Sequence, residues 1–334
     1  MFKQYLKQAL QMLKENRLTS VISILGTALS IAMILVVVLQ FQIRLVGFRP
    51  ESNRDRMLYI LGIRADSQTD PNNRNSTAMS DGVVKECLYP LQTPESVTAM
   101  AKDRSIVSLP NRRFEEYVIC YTDPGFWKVF DFHFLAGKPF TEADFSSGLP
   151  RAVITNTLAR KLFGSEEPVG KEIEMGYVSY TVTGVVKEPS RAAGSAYSDV
   201  WVPYTSNTNY VNNQSCGDVC GNFQAVILAH SSGDFDAIRA EIKQAVARYN
   251  AAGRDFVLGI NYVFSRVDVA LGSNDMNGGI QVGWLEYLTQ KVPLLLFLLL
   301  VPTLNLTGVI QSSVQKRRSE MGLRKAFGAT KERL

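Results

Sequence analysis

The chain has 334 residues, a mean hydropathy of -0.01, 46% hydrophobic and 20% charged residues, and a net charge of +5. The average hides two long apolar runs inside an otherwise ordinary composition, which excludes a disordered chain and indicates a membrane protein with a folded domain. The excess of basic over acidic residues lies beside the apolar runs, at +3 over residues 1–17 and +5 over residues 316–334, and forms no groove-like cluster. It therefore indicates membrane topology and contact with membrane lipid, with no nucleic acid as a partner.

The first apolar run follows a basic amphipathic segment. Residues 1–17 predict a cytoplasmic amphipathic helix, because apolar residues recur every three or four positions with lysines opposite. This helix either lies in the membrane interface or is the cytoplasmic start of the first span, and both interpretations stay open. Residues 18–43 carry no charge and predict transmembrane helix 1. A signal peptide is disfavoured, since the run is too long and no A-x-A-like cleavage site follows it.

The second apolar run lies near the end of the chain. Residues 292–315 carry no charge and predict transmembrane helix 2, in which Asn305 either contacts another helix or is tolerated near the interface. Residues 316–334 hold seven basic and two acidic residues. The positive-inside rule then places both ends of the chain in the cytoplasm. Residues 44–291 are therefore predicted to form one large extracytoplasmic insertion.

Helix and strand patterns mix within this insertion without regular alternation. The fold class is thus predicted as an α+β extracytoplasmic domain between transmembrane α-helices. Strands are predicted over residues 57–63, 117–121, 151–155, 177–187, 223–229 and 256–269. Helices are predicted over residues 93–102, 156–163 and 235–249. Loops are predicted over residues 66–80 and 205–222.

Residues that carry chemistry are few. His133 and His230 are the only histidines, and no Ser-His-Asp or HExxH pattern occurs, so no catalytic residue, cofactor or metal site is predicted. The spacing of Cys216 and Cys220 lacks the CxxC geometry of a redox or zinc site and favours a disulfide that closes a loop. Cys87 and Cys120 either pair or remain buried thiols. Sequence alone does not choose among the three connectivities of four cysteines.

The segment after the second span resembles the signature of MacB/FtsX-like ABC transporter permeases. It reads RSEMGLRKAFGAT over residues 318–330. Further similar segments occur in the family's order along the chain. They are NRLT at 16–19, PGFWKVF at 124–130, GKPF at 137–140, LFG at 162–164, PVGK at 168–171 and YTVTGVV at 180–186. Each is weak alone, and together they cover nearly the whole chain.

The resemblance implies a periplasmic MacB-like domain over residues 44–291 of an inner-membrane, multi-pass protein. Its core part is expected at residues 46–120 and 222–272, and an inserted β-rich part at residues 121–221. The family has four membrane helices, so a chain that stops at residue 334 is expected to be a truncated piece or a split subunit. The expected partners are a cytoplasmic ABC ATPase subunit, a second permease copy and a periplasmic partner protein.

The resemblance also implies a role for the segment at the end of the chain. Residues 316–334 are interpreted as a cytoplasmic coupling segment that passes movement from the ATPase to the outer domain. The ATPase-coupling residues would be Glu320, Gly322, Arg324, Lys325, Gly328 and Ala329. No ATPase activity is expected in this chain, because it contains no nucleotide-binding domain.

Two alternatives to this role stay open. In the first alternative, the segment over residues 316–334 is only a basic membrane anchor. In the second, the whole chain is a two-span membrane receptor with an extracytoplasmic sensing domain. Two further spans encoded after this segment would favour the permease, whereas a coiled coil or a kinase would favour the receptor.

Overall fold

The structure is a computed structural model that describes residues 17–108, 115–211, 215–274 and 280–281, with isolated positions between 289 and 327. The chain divides into two units. One unit is Ile43–Val282, and the other comprises the residues before and after it. Residues 1–16, for which an amphipathic helix is predicted, and most of residues 282–334, for which the second span and the coupling segment are predicted, lie outside the described residues.

One helix among the described residues is long and apolar enough to cross a membrane. Helix α1 spans Arg17–Leu45, and the most apolar 18-residue stretch within Ser20–Leu45 has a mean hydropathy of 2.7. Its apolar side chains are exposed, with Leu25 and Leu29 each at 64%. Because a helix satisfies its own main-chain hydrogen bonds, such a surface suits a lipid environment. The predicted first span is therefore helical.

The domain is built on a large mixed sheet. Its strands lie in the order β14-β1-β12-β4-β5-β10-β7-β9-β6, and β8 pairs with β4 and β9. They are β1 Met57–Ile60, β4 Ser96–Ser108, β5 Glu115–Thr122, β6 Phe134–Gly137, β7 Arg151–Thr155, β8 Glu172–Met175, β9 Val178–Val186, β10 Val200–Pro203, β12 Gln224–Leu228 and β14 Phe264–Ser265. Only the pairs β5–β10 and β7–β9 are parallel among these strands.

Two smaller sheets complete the strands of the described residues. The first has the order β11-β3-β2-β13 and the second pairs β15 with β16. Their strands are β2 Ile63–Ser67, β3 Arg74–Met79, β11 Cys220–Gly221, β13 Phe256–Gly259, β15 Ser273–Asn274 and β16 Ile280–Gln281.

Short helices surround these sheets. They are α2 Asp81–Val83, α3 Phe126–Val129, α4 Glu142–Ser146, α5 Asn156–Phe163, α6 Thr208–Val211, α7 Phe235–Asn250 and α8 Arg266–Leu271. A π-helical turn, Val84–Leu88, continues α2.

Strands β1, β10 and β12 of the large sheet are buried on both faces, which explains their runs of consecutive apolar residues. In β1, Leu58 and Ile60 point into one core cluster and Met57 and Tyr59 into the other. Successive side chains of a strand point to opposite faces, so each strand must be apolar throughout when both faces are covered. Helix α7 packs on the first face and helix α3 on the second.

Several predicted elements are confirmed. The strands at 151–155, 177–187 and 223–229 and the helices at 156–163 and 235–249 form within a residue or two of their predicted ends. Gly164 ends helix α5 with a positive φ of 67°, where only glycine avoids strain. The register of β9 against β7 shifts next to Gly184, which marks a β-bulge or irregularity there. The predicted α+β fold class is therefore confirmed.

Other predicted elements are wrong. Residues 93–102 form no helix, since strand β4 begins at Ser96 and pairs with β12 and β5 on its two sides. Residues 66–80 are only partly a loop: residues 68–73 connect strands β2 and β3, which pair as a hairpin and take up residues 66–67 and 74–79. Residues 256–269 contain two short strands and then helix α8, which Ser265 caps. Pairing of β4 with the distant strand β12 decided the first case, the local hairpin decided the second, and the Ser265–Asp268 capping box decided the third.

Candidate functional site

The residues predicted to couple to an ATPase lie almost entirely outside the described part of the chain. Glu320, Arg324, Lys325, Gly328 and Ala329 are not described, and Gly322 is helical. No described atom lies within 4 Å of the position where a Cβ of Gly322 would stand.

Cys216 and Cys220 form a disulfide with their Cα atoms 5.3 Å apart. The loop between them packs against the domain, because the carbonyl of Asp218 accepts hydrogen bonds from the hydroxyls of Ser80 and Tyr249. The disulfide thus fixes a loop that contacts the residue after strand β3 and helix α7. Cys87 and Cys120 are free, buried thiols.

A buried arginine binds residues 43–46, the start of the unit Ile43–Val282. Arg54 has no exposed surface. Its guanidinium donates to the carbonyls of Ile43 at 2.7 Å, Val46 at 2.9 Å and Ala192 at 2.8 Å. The ring of Phe48 covers the guanidinium at 4.2 Å. One side chain therefore joins the end of α1 to the segment between β9 and β10.

Glu51 neutralises this arginine and makes the same connection. Its Oε2 lies 2.6 Å from Nε of Arg54, and neither side chain is exposed. Its Oε1 accepts hydrogen bonds from the main-chain N–H groups of Ser195 and Ala196, each at 3.0 Å. A buried charge must be paired and hydrogen-bonded, and both groups meet that requirement here.

A second arginine completes the cap on helix α1. Arg266, at the start of helix α8, donates from Nε to the carbonyl of Arg44. Burial lowers the pKa of Arg266, yet an arginine stays charged at neutral pH. The last carbonyls of a helix have no partner within the helix and carry its negative dipole end. Arg54 and Arg266 supply both donors and positive charge to that end.

We call this assembly the arginine junction. It comprises Glu51, Arg54 and Arg266 with the carbonyls of residues 43–46 and the loop 192–196 that they bind. Lys102 holds the same loop from β4 through the carbonyls of Gly194 at 2.6 Å and Tyr197 at 2.8 Å. These hydrogen bonds connect residues 43–46 and strand β4 to the same loop.

A surface ion pair beside the junction provides a contrast. Arg49 and Asp131 are 2.9 Å apart, but their side chains are 68% and 44% exposed. Both residues line a cavity of about 740 Å³ that His133 also lines. The other histidine of the chain, His230, is exposed. No group of three or more His, Cys, Asp or Glu side chains that could hold a metal occurs in the described ranges.

Sequence reasoning missed Glu51 and Arg54. The available signal was an acid and a base three residues apart, placed directly after an apolar run. That spacing is common on exposed helices. Only the loop at 192–196, far along the chain, buries the pair and gives it a role.

Residues 20–245 match the profile of the family described as MacB-like periplasmic core domain. The match covers more than half of the chain. The chain belongs to this family. The resemblance drawn from the sequence motifs is thereby confirmed.

Similar proteins of known name agree with this assignment. The chain is 24% identical over 319 residues to the pyoverdine export ATP-binding/permease protein PvdT of Pseudomonas fluorescens, covering 94% of this chain and 45% of that protein. It is 24% identical over 209 residues to the macrolide export ATP-binding/permease protein MacB of Chromobacterium violaceum, covering 61% and 29%. The MacB-like chain thus spans less than half the length of these relatives.

Two solved structures are also similar. The periplasmic region of MacB from Actinobacillus actinomycetemcomitans aligns with a TM-score of 0.47 at 14% identity, covering 64% of this chain and 90% of that one. The extracellular domain of the transporter YknZ from Gram-positive bacteria aligns with a TM-score of 0.44 at 19% identity, covering 61% and 99%.

Proposed function

We propose that this chain is the permease part of an ABC transporter of the MacB type. In this proposal it lies in the inner membrane with residues 44–291 in the periplasm, and it transmits movement driven by ATP hydrolysis in a partner subunit. Membership of the MacB-like family and the names of the relatives, which include both ATP-binding and permease parts, support this function. A second permease copy and membrane lipid are further proposed partners.

The arginine junction is the main structural support for mechanical transmission. Arg54 binds two carbonyls at the end of α1 and one carbonyl of the loop before β10. A displacement of the last turn of α1 would therefore pull on that loop directly. Because the contacts are buried and charge-assisted, they resist stretching better than neutral surface contacts would.

The cytoplasmic end of the transmission is proposed to be residues 318–330. Glu320, Arg324 and Lys325 would present charge to an ATPase subunit, while Gly322, Gly328 and Ala329 would permit close approach of main chains. This part of the proposal rests on the sequence resemblance.

Purification of the tagged full chain in mild detergent, with identification of the proteins that accompany it, tests the ATPase partner. We expect an ABC ATPase to be recovered and to be lost when Glu320→Arg and Arg324→Glu are combined. The matched control, Lys331→Glu with Glu332→Lys, reverses charges within residues 316–334 but outside the motif at 318–330, and it should retain the ATPase. Isolation without any ATPase across several detergents would contradict the proposal and favour a two-span receptor.

Hydrogen exchange on the assembled complex tests transmission through the junction. We expect the amides of Ser195 and Ala196 to change their exchange rates between the ADP state and the ATP-vanadate state. Arg54→Gln should abolish this difference, whereas Arg49→Gln at the exposed pair should leave it intact. An unchanged difference in the Arg54→Gln complex would refute a role for the junction in transmission.

A further inference from the structure

A groove on the domain surface is lined by none of the residues of the arginine junction. Its walls are helix α7 and the extended segment that follows strand β13, and its volume is about 490 Å³. Ile242, Val246 and Leu258 give it an apolar floor, while Arg239 and Lys243 stand on the helical side. A volume in this range is typical of ligand-binding clefts. We call it the α7 groove.

Side chains of α7 close both ends of this groove by binding the main chain opposite. Asn250 donates from Nδ2 to the carbonyl of Leu258 and accepts from its N–H, both at 2.9 Å, as a neighbouring strand would. At the other end, Nε of Arg239 donates to the carbonyl of Val263 at 3.2 Å. These bonds hold the helix and the extended segment at a fixed separation.

The main chain between these two ends is open. Ile260, Asn261 and Tyr262 follow strand β13 without joining a strand or a helix. Their main-chain N–H and C=O groups have no hydrogen-bond partner among the described residues. Strand β13 pairs with β2 along one side only, so this segment continues a free sheet edge. Such an edge can accept another extended chain.

The charge on the groove is positive. Its lining contains Arg239 and Lys243 and no acidic residue. Arg239 is already engaged, with Asp236 at 3.0 Å and Asp268 at 3.8 Å. Lys243 is exposed, and no described residue forms an ion pair or hydrogen bond with it. A ligand with a carboxylate would therefore find one available cation beside an apolar floor.

We infer that the α7 groove binds an extended acidic segment of a partner polypeptide. The segment adds to the free edge at Ile260–Tyr262 through its main chain, places apolar side chains over Ile242 and Val246, and pairs a carboxylate with Lys243. Main-chain pairing provides affinity in this mode of recognition, and the side chains provide selectivity. This inference does not depend on the proposed transport function.

Fluorescence anisotropy on the full chain in nanodiscs tests the inference. The probe is a short fluorescein-labelled peptide of alternating valine and aspartate, compared with the same peptide carrying lysine in place of aspartate. We expect only the acidic peptide to bind, with Kd at or below about 100 μM. Lys243→Glu should weaken binding about tenfold or more, while Arg248→Glu, on the same helix but outside the groove, should change it less than about twofold.

Two further measurements separate main-chain pairing from simple charge attraction. An acidic peptide N-methylated at alternate residues cannot donate along one edge and should lose binding. The inference would be overturned if the methylated peptide or the lysine peptide bound as tightly as the acidic peptide, or if Lys243→Glu bound the acidic peptide as tightly as the unchanged chain. Absence of binding of the acidic peptide up to about 1 mM would also overturn it. A response to dodecanoate that depends on Lys243, without a response to peptide, would assign the groove to anionic amphiphiles instead.

Discussion

Replacing Arg54 by glutamine is the most direct perturbation of the arginine junction. The change removes the charge that lies 2.6 Å from Glu51 and the donors to Ile43, Val46 and Ala192. Glu51 would stay buried with an uncompensated charge. Removing one partner of a buried pair costs about 3–5 kcal/mol. Since 1 kcal/mol shifts the melting temperature of a domain of about this size by about 2–4 °C, we expect Tm to fall by roughly 6–20 °C.

Thermal unfolding of the purified chain, followed by tryptophan fluorescence, measures this effect. Trp127 and Trp201 pack 6.1 Å apart within the domain and report on its core. Arg49→Gln is the matched control, because its ion pair with Asp131 is exposed and should contribute less than about 1 kcal/mol. The double variant of Glu51→Gln with Arg54→Gln should be more stable than Arg54→Gln alone, because no buried charge remains unpaired.

Two results would refute this reasoning. The first is a Tm for Arg54→Gln equal to that of Arg49→Gln, which would mean that burial of the pair adds nothing. The second is a double variant no more stable than Arg54→Gln, which would mean that the uncompensated charge of Glu51 is not the source of the loss.

Three further predictions concern the domain itself. Burial raises the pKa of Asp123 to about 6, above the ~3.9 of an unfolded aspartate, so the folded chain holds this proton more tightly. The unfolding free energy should fall by up to roughly 3 kcal/mol as pH rises from about 4 to about 6, and Asp123→Asn should flatten that dependence in melts across this range. Cys216→Ser should lower the unfolding free energy by about 2 kcal/mol, because it removes the disulfide to Cys220 that closes a short loop. The Tm of the variant should no longer respond to reductant. Ile238→Ala, at a fully buried position of α7, should cost about 2–5 kcal/mol in denaturant unfolding.

Local chemistry was enough to predict some elements. Helix α7 has an apolar stripe that recurs every three or four residues, and strand β9 is β-branched and alternating. In both, the local preference and the tertiary environment agree. The uncharged run at 18–43 likewise predicts a helix, because no other structure satisfies its main chain in lipid.

Strand β4 shows where local preference failed. The Thr93, Pro94 and Glu95 sequence is a good helix start, yet Glu95 pairs with Arg56 at 2.5 Å and its N–H binds the carbonyl of Leu228. Neighbouring strands on both sides then fix the following residues as a strand. One partner, β5, follows β4 directly, but the other, β12, lies more than 100 residues further along the chain, so no local window contains this information.

The sequence by itself therefore determined the family, the first apolar helix and the α+β character of the domain, since each depends on patterns within a short stretch. Only the tertiary structure decided which charged residues are buried. The sequence around Glu51 and Arg54 is equally compatible with an exposed turn. In the folded domain the loop at 192–196 covers both residues, accepts a hydrogen bond from Arg54 and donates two to Glu51. The same holds for the α7 groove, because the free edge at Ile260–Tyr262 exists only when β13 pairs on one side with β2.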